Sequence, residues 1–498
     1  MPEPLTQNVN LGIRTLSGAS WSFLGSIADY LLSFALTILV ARPLGPSEYG
    51  YIPLLAGITD MPRLVLVTTL GTSLAKHVAT NRGGDSRGPS QVLKTGLVLI
   101  AVLSAAVGTL VFLGADLISE VFHQPELGGM VRIAAIALFA NGLMSFVQSA
   151  FQGLDRLDLL AGSQLSSSSL RFVLTIWFFY GLGLRVQGVL WASALSYLLV
   201  SILFLIVVWR RWIQPGSGRQ ALPSPFRTLI AYASPLVVSS LAFYAYTRVD
   251  IVILGFYAHD RAEIGYLGLA STMFTVLLVV AQSIATAVFP AIAALVTSES
   301  WAKLQHLFDL VINWLFIYSV PSSIAAFALA GPFFAALAPE YMGAAVLLRL
   351  LSPLLILRSL GTVMAGGCLT PAGFAKDVAK LTTLAAIANV LLDLLLIPHY
   401  SALGSVIGTL IVHGGSAIAG VLLVRYRLPL TIRLPWEPLI GGAVMCVAIV
   451  SGIQLGFGNG LASMAVVALL GFVAYMGVML ASGGLWRNLV GIRGVAPG

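Results

Sequence analysis

The sequence TGLVLIAVLSAAVGTLVFLG, from Thr95 to Gly114, is an apolar run without a charged side chain. Its length matches the roughly 20 residues that an α-helix needs to cross a bilayer. A membrane β-strand would instead alternate in polarity over about ten residues. Comparable runs recur through the 498 residues, of which 58% are hydrophobic and 9% charged. This composition excludes an ordinary soluble protein, and we predict an all-α polytopic membrane protein.

Apolar runs between charged or Gly- and Pro-rich breaks predict about 14 transmembrane helices. The first apolar segment lacks a clear cleavage site, so we expect it to be retained rather than removed as a signal peptide. The predicted segments are residues 18–41, 49–75, 93–114, 128–152, 160–183, 187–209, 228–257, 264–292, 307–330, 341–367, 376–398, 401–424, 437–456 and 460–482.

The distribution of Lys and Arg predicts how the chain is oriented. With a cytoplasmic N-terminus, eighteen of these residues fall in cytoplasmic loops and tails and four fall outside. Cytoplasmic loops of membrane proteins carry such an excess, so we predict that both termini are cytoplasmic. The net charge of +8 then reflects loop bias, and we expect no nucleic-acid partner.

An internal repeat predicts two lobes. The sequence EYGY at Glu48–Tyr51 is echoed by EIGY at Glu263–Tyr266, an offset of 215 residues, and two further pairs of glycines recur at nearly the same spacing. Because each copy has six helices, both enter the membrane from the same side, which implies a pseudo-two-fold axis along the membrane normal. The predicted domains are residues 1–209 for the N-lobe, 210–226 for a cytoplasmic linker, 227–424 for the C-lobe, and 425–498 for helices 13 and 14 with the C-terminal tail.

Several arginines fall inside predicted helices, where each central charge costs about 2.5–3.5 kcal/mol on insertion scales. A buried guanidinium stays charged and suits phosphate or carboxylate, so these residues predict an anionic cargo. The candidate substrate-binding residues are Arg63, Arg171, Arg248 and Arg358.

The alternative is that these arginines form ion pairs that only hold helices together. Asp60 and Arg63 are spaced i, i+3 and can neutralise each other, and Asp29 can pair with an arginine across the lobe. Arg171 and Arg358 have no acid within one helical turn, so we expect these two to be the free cationic groups.

Candidate residues for coupling to protons or sodium are Asp29, Asp60 and His413. For His413 the alternative, a histidine hydrogen-bonded between helices, is favoured. The serines at 166–169 are consistent with a polar path or with interhelical hydrogen bonds. No catalytic motif, Walker A sequence or metal-ligand spacing occurs, so we expect neither an enzyme nor a cofactor.

Three segments resemble a known family. ILVARPLGPSEYG at Ile38–Gly50 resembles the segment after the first helix of polysaccharide flippases. Arg248–Tyr266 is similar to that family's segment on helix 7, and Leu391–Thr409 to its connection between helices 11 and 12. The last segment departs from the pattern at Asp393, where a neutral residue is commoner. The family is that of the oligosaccharidyl-lipid, Wzx-type flippases of the multidrug/oligosaccharidyl-lipid/polysaccharide exporter superfamily.

The resemblance implies two six-helix lobes, a cationic central cavity, and alternating access for an undecaprenyl-pyrophosphate-linked oligosaccharide. It places the chain in the bacterial inner membrane, with membrane lipids and the polysaccharide polymerase machinery as partners, in the biosynthesis of O-antigen, capsule or exopolysaccharide. Two alternatives remain. A drug or metabolite exporter of the same superfamily should rely on acids and aromatic side chains rather than on buried arginines. A membrane glycan polymerase or ligase should carry a large external loop with catalytic arginines.

Overall fold

The structure is a computed structural model that describes residues 4–81, 87–213, 225–258, 260–457 and 460–483. Within these ranges all regular secondary structure is helical, as the apolar runs predict. The chain divides into two compact units. The first comprises Met1–Leu44 and Tyr51–Phe256, and the second Gly45–Gly50 and Tyr257–Gly498.

The first unit contains most of α1 and nine further α-helices. Two π-helical segments, Arg63–Thr68 and Trp177–Gly181, interrupt the path of the chain between them. The helices are α1 (Pro4–Tyr49), α2 (Tyr51–Pro62), α3 (Thr69–Thr80), α4 (Arg87–Leu113), α5 (Ala115–Val121), α6 (Leu127–Gly153), α7 (Leu157–Ile176), α8 (Arg185–Trp212), α9 (Pro225–Thr247) and α10 (Val249–Tyr257).

The second unit contains seven α-helices within its described residues, together with the end of α1. Short 3-10 or π-helical segments lie at Pro339–Tyr341, Val363–Phe374 and Ile453–Phe457. The helices are α11 (Ala262–Thr297), α12 (Trp301–Leu337), α13 (Met342–Leu351), α14 (Leu354–Thr362), α15 (Ala375–Arg427), α16 (Trp436–Gly452) and α17 (Leu461–Ala481).

Eleven helical stretches among the described residues are long and apolar enough to cross a membrane. One of them, Leu354–Arg427, has 74 residues, several times the length that one crossing needs. Helix α7 is not among the eleven, because its serines, Gln164 and Arg171 make it too polar. The polytopic all-α fold is confirmed, whereas the number 14 and the symmetry of the lobes stay predictions.

Polar and apolar side chains are distributed as a lipid environment requires. Large apolar side chains lie on outward faces, with Val98 62% and Leu110 69% exposed. Small polar side chains such as Ser73 and Ser196 are fully buried between helices. In lipid there is no apolar driving force between helices, so small and polar residues at the interfaces allow close packing and hydrogen bonding.

Two long helices are broken where the backbone becomes left-handed. Gly45 has φ +70° within α1, a conformation that favours glycine, and the chain passes there from the first unit to the second. Ser401 has φ +49° within α15, at the start of the predicted segment 401–424. The break at Ser401 lies where the sequence predicts a connection between two helices.

Packing groups helices α9 and α10 with the first unit, where α9 lies against α2, α3 and α4. The predicted lobes were drawn from the repeat and the polar linker, and they assign residues 227–424 to the C-lobe. The compact units follow packing, whereas the predicted lobes follow the sequence repeat and the polar linker, so the lobe boundaries stay a prediction.

Within the second unit, the two glycines of the EYGY and EIGY sequences pack against each other's segments. A Cβ on Gly265 would lie 2.1 Å from the carbonyl oxygen of Pro46, and a Cβ on Gly50 would lie 2.9 Å from that of Arg261. Both distances are too short for a side chain, and backbone atoms cannot rotate away as a flexible side chain can. The repeated glycines therefore mark a close backbone approach.

We expect Gly265→Ala to lower the stability of the protein by about 1–3 kcal/mol, because the added methyl group forces two backbone segments apart. The measurement is the thermal unfolding midpoint of the purified protein in detergent. Gly129→Ala is the matched control, since a Cβ at that helical glycine meets no atom within 4 Å. An unchanged midpoint for Gly265→Ala would contradict the tight contact.

Candidate functional site

In the first unit, one carboxylate lies between two arginines. The Nε and Nη2 atoms of Arg63 each lie 2.8 Å from Oδ1 of Asp60, and Nε of Arg248 lies 3.5 Å from Oδ2. Asp60 lies in the last turn of α2, Arg63 begins the π-helical segment three residues later, and Arg248 lies at the junction of α9 and α10. The cluster of Arg63, Asp60 and Arg248 therefore has a net charge of +1.

The two arginines of this cluster remain accessible. Their side chains are 38% and 43% exposed, for Arg63 and Arg248 respectively, whereas Asp60 is only 12% exposed. Both guanidinium groups therefore keep exposed surface, whereas the carboxylate that they share has little. The i, i+3 pairing that the sequence allowed for Asp60 and Arg63 is present, and it leaves Arg248 as a second cation on the same carboxylate.

Neighbouring contacts hold the helices that carry this cluster. The Tyr244 hydroxyl on α9 donates a hydrogen bond of 3.0 Å to the carbonyl oxygen of Gly57 on α2. A Cβ on Gly57 would lie 2.9 Å from the side chain of Val252 on α10, so glycine permits the close approach. These contacts bring Arg248 within reach of Asp60.

A polar cavity of about 520 Å³ lies within the first unit. Arg63 belongs to its wall as well as to the charged cluster, so the two features are continuous. Residues from α1, α3, α6, α7, α8 and the first π-helical segment line it: Asp29, Arg63, Thr68, Gly71, Thr72, Asn141, Met144, Ser145, Gln148, Ser149, Gln152, Leu160, Gln164, Ser167, Ser168, Arg171 and Tyr197.

Arg171 lies in the cavity wall and is not free of acids, contrary to the expectation from sequence. Its Nη2 atom donates to Ser33 at 2.7 Å and lies 3.8 Å from Asp29, and Nη1 donates to Tyr197 at 3.1 Å. Ser168 also donates to Asp29. Asp29 on α1 thus neutralises an arginine on another helix. This is the ion pair across the lobe that the sequence allows as the alternative to a free cation. The expectation failed because a search within one helical turn cannot find a partner from elsewhere in the chain.

The amide side chains of the cavity are not among the site residues predicted from the sequence. Asn141, Gln148 and Gln152 lie on one stripe of α6 with Ser145, at steps of four, three and four residues. That spacing keeps them on one helix face and was a readable signal in an otherwise apolar helix. The serine run also proves to be divided, since Ser167 and Ser168 line the cavity whereas Ser166 and Ser169 are exposed elsewhere.

The remaining predicted residues lie in the second unit. Nη1 of Arg358 on α14 lies 3.0 Å from Nε2 of His413 on α15. Because a guanidinium only donates, the imidazole nitrogen accepts, and the ring is the neutral tautomer with its hydrogen on Nδ1. His413 is buried, and this contact matches the favoured alternative of a histidine hydrogen-bonded between helices. A role for His413 in ion coupling stays a prediction.

Asp393, which departs from the family pattern, is completely buried in the second unit. Its Oδ2 atom accepts a hydrogen bond of 2.7 Å from the Asn389 amide, one turn earlier in α15. A Cβ on Gly408 would lie 2.9 Å from Oδ1, so glycine leaves room for the carboxylate. Over the described ranges, no three His, Cys, Asp or Glu side chains gather as a metal site.

The predicted site residues therefore form two groups. Asp29, Asp60, Arg63, Arg171 and Arg248 all lie in the first unit, around the cavity and the charged cluster. Arg358 and His413 form a pair in the second unit. That arginines from both lobes line a shared vestibule stays a prediction.

Comparison with known proteins identifies relatives. The chain is 24% identical over 474 residues to the lipid II flippase MurJ of Bacillus subtilis (strain 168), covering 84% of each chain. Its fold is similar to MurJ in an inward closed conformation, with a TM-score of 0.74 and 14% identity, over 94% of this chain and 99% of that one. It is also similar to an inward-facing multidrug resistance MATE transporter, with a TM-score of 0.71 and 19% identity, over 80% and 94%.

These relatives are a flippase and a transporter, in agreement with the prediction that the chain is not an enzyme. The fold class predicted from the apolar runs is also confirmed by these two structures. A family model described as polysaccharide biosynthesis protein matches residues 15–296, more than half of the sequence. The chain therefore belongs to the polysaccharide biosynthesis protein family.

Proposed function

We propose that this protein is a flippase that moves an undecaprenyl-pyrophosphate-linked oligosaccharide across the bacterial inner membrane. Membership of the polysaccharide biosynthesis family and similarity to a lipid II flippase support this function. The observation that carries it is the cluster of Arg63, Asp60 and Arg248, in which two accessible guanidinium groups share one carboxylate. Such a cluster favours an anionic group, and pyrophosphate is one.

The cargo's pyrophosphate would bind to Arg63 and Arg248 from the exposed side of the cluster. Guanidinium groups form charge-assisted, often bidentate hydrogen bonds with phosphate oxygens, which replace the hydration that the anion loses. Arg171 and Arg358 are further proposed contacts, although each already has a polar partner. The prenyl chain would remain in lipid, and alternating access would expose the headgroup to the other leaflet.

We also propose the biosynthetic role of the glycan and the residues that couple its transport to an ion. The glycan would serve surface polysaccharide biosynthesis, as O-antigen, capsule or exopolysaccharide, together with polymerase machinery. Asp29, Asp60 and His413 remain the proposed residues for coupling to protons or sodium. Asp60 is the best placed of the three, because its charge is bound to both arginines of the cluster. Both termini are proposed to be cytoplasmic.

A drug exporter is the less favoured transport function. The similarity to the MATE transporter is a similarity of fold. A cavity that binds organic cations would need acidic side chains that no arginine neutralises. Here Asp29 lies beside Arg171, and Asp60 lies beside two arginines.

Deletion of the gene should cause lipid-linked glycan to accumulate in the cytoplasmic leaflet, because assembly continues while translocation stops. Accessibility of the glycan to a lectin, in intact spheroplasts and in inverted vesicles, measures its location. Expression of the intact chain from a plasmid is the control. Accumulation of finished repeat units on the outer side would contradict the flippase and favour a polymerase.

Replacing Arg63 or Arg248 with Ala should lower translocation about ten- to a hundredfold, because a charge-assisted hydrogen bond is worth about 1.5–3 kcal/mol. Arg171→Ala and Arg358→Ala should have smaller effects. The measurement is surface glycan at matched protein level. Arg132→Ala is the control, since this arginine forms an ion pair with Asp116 and does not line the cavity. Undiminished glycan in all four variants would remove these arginines from the mechanism.

Asp60→Asn should strengthen the binding of inorganic pyrophosphate by about tenfold, or about 1.4 kcal/mol, because the carboxylate no longer competes for the two guanidinium groups. Isothermal titration of the protein in lipid nanodiscs measures the change. Asp116→Asn is the control, because it removes a carboxylate whose arginine is exposed elsewhere. Weaker binding by Asp60→Asn would mean that Asp60 chiefly positions the arginines.

A further inference from the structure

The polar cavity of the first unit differs in chemistry from the charged cluster beside it. Its charged residues are matched by opposite charges, with Asp29 near Arg171 and Asp60 bound to Arg63. Most of the remaining lining consists of amide and hydroxyl side chains. A pyrophosphate carries negative charge and only accepts hydrogen bonds from its surroundings, so it suits this wall poorly.

The amides of the wall are available for a ligand. The side chains of Asn141, Gln148 and Gln152 form no hydrogen bond with any other residue in the described ranges. An amide side chain in a helix bundle needs partners for both its oxygen and its NH₂ group, because an unmade hydrogen bond is costly there. Three such side chains on one stripe of α6 therefore require water or a polar ligand.

The cavity wall offers both donors and acceptors. Amides and hydroxyls each provide both, and the buried Nε of Arg171 and Oε1 of Gln164 add one donor and one acceptor that lack partners over the described ranges. A hydroxyl group on a ligand also donates and accepts. A ligand with many hydroxyls therefore matches the cavity better than an anion does. The volume of about 520 Å³ lies within the range of about 300–1,000 Å³ that small-molecule pockets have.

We infer that this cavity is a carbohydrate-binding site, and that Asn141 and Gln148 determine which sugar of the headgroup it accepts. This inference rests on the proposed function, because the sugar belongs to the same lipid-linked cargo. The pyrophosphate is assigned to Arg63 and Arg248, and the sugar to the amide stripe. Tyr197 supplies an aromatic ring in the same wall. The two parts of the cargo thus have separate sites that meet at Arg63.

Saturation-transfer NMR on the full chain in lipid nanodiscs tests the site. The probes are glucose, galactose, N-acetylglucosamine and methyl glucuronide, each at millimolar concentration. At least one should bind, and Asn141→Leu and Gln148→Leu should each weaken its binding about tenfold through the lost hydrogen bonds. Gln187→Leu is the matched control, because this exposed amide of the same unit does not line the cavity. Gln152→Ala is a milder variant, should either leucine variant fail to fold.

Titration with inorganic pyrophosphate separates the two proposals. Sugar binding that is lost in the leucine variants while pyrophosphate binding persists supports both. Pyrophosphate binding without any sugar binding, or sugar binding that no amide variant changes, overturns the carbohydrate site and leaves the proposed function standing. Sugar binding at the amides without pyrophosphate binding supports the carbohydrate site and contradicts the anion site of the proposed function.

Discussion

The pairing of charge around Asp60 is the constraint on which the first unit depends. A charge within an apolar helix is costly unless it has a partner or reaches a wet cavity. Asp60 meets this requirement for two guanidinium groups at once, and so allows α2 and the junction of α9 and α10 to lie together. One carboxylate cannot neutralise both cations. The two guanidinium groups that this packing brings together are the ones to which the proposed function assigns the cargo's anion.

The local backbone explains how Arg63 can contact Asp60 and also line the cavity. Pro62 lacks a backbone donor, and the chain continues after it as the π-helical segment Arg63–Thr68. Such segments are wider than an α-helix and occur often at functional sites. Here the segment starts with an arginine that contacts Asp60 and also lines the cavity. Movement of Arg248 away from α2 would leave Asp60 with Arg63 alone, so binding at the cluster is tied to the arrangement of these helices.

A lipid-linked glycan presents two unlike polar groups in one molecule. Its pyrophosphate is acceptor-only and anionic, whereas its sugars are neutral or nearly so and rich in hydroxyls. In the proposed function the charged cluster binds the pyrophosphate and the amide-lined cavity binds the sugar, and Arg63 belongs to both.

The sequence predicts the fold class, the family resemblance and the candidate arginines, because apolar length and buried charge are properties of single segments. It also allowed the pairing of Asp60 with Arg63, which lie one turn apart. Three contacts are visible only in the folded chain: Arg248 shares Asp60, Asp29 lies beside Arg171, and amides of α6 and α7 line one cavity. These contacts join residues far apart in the chain, and helix packing rather than local spacing sets the distance between them.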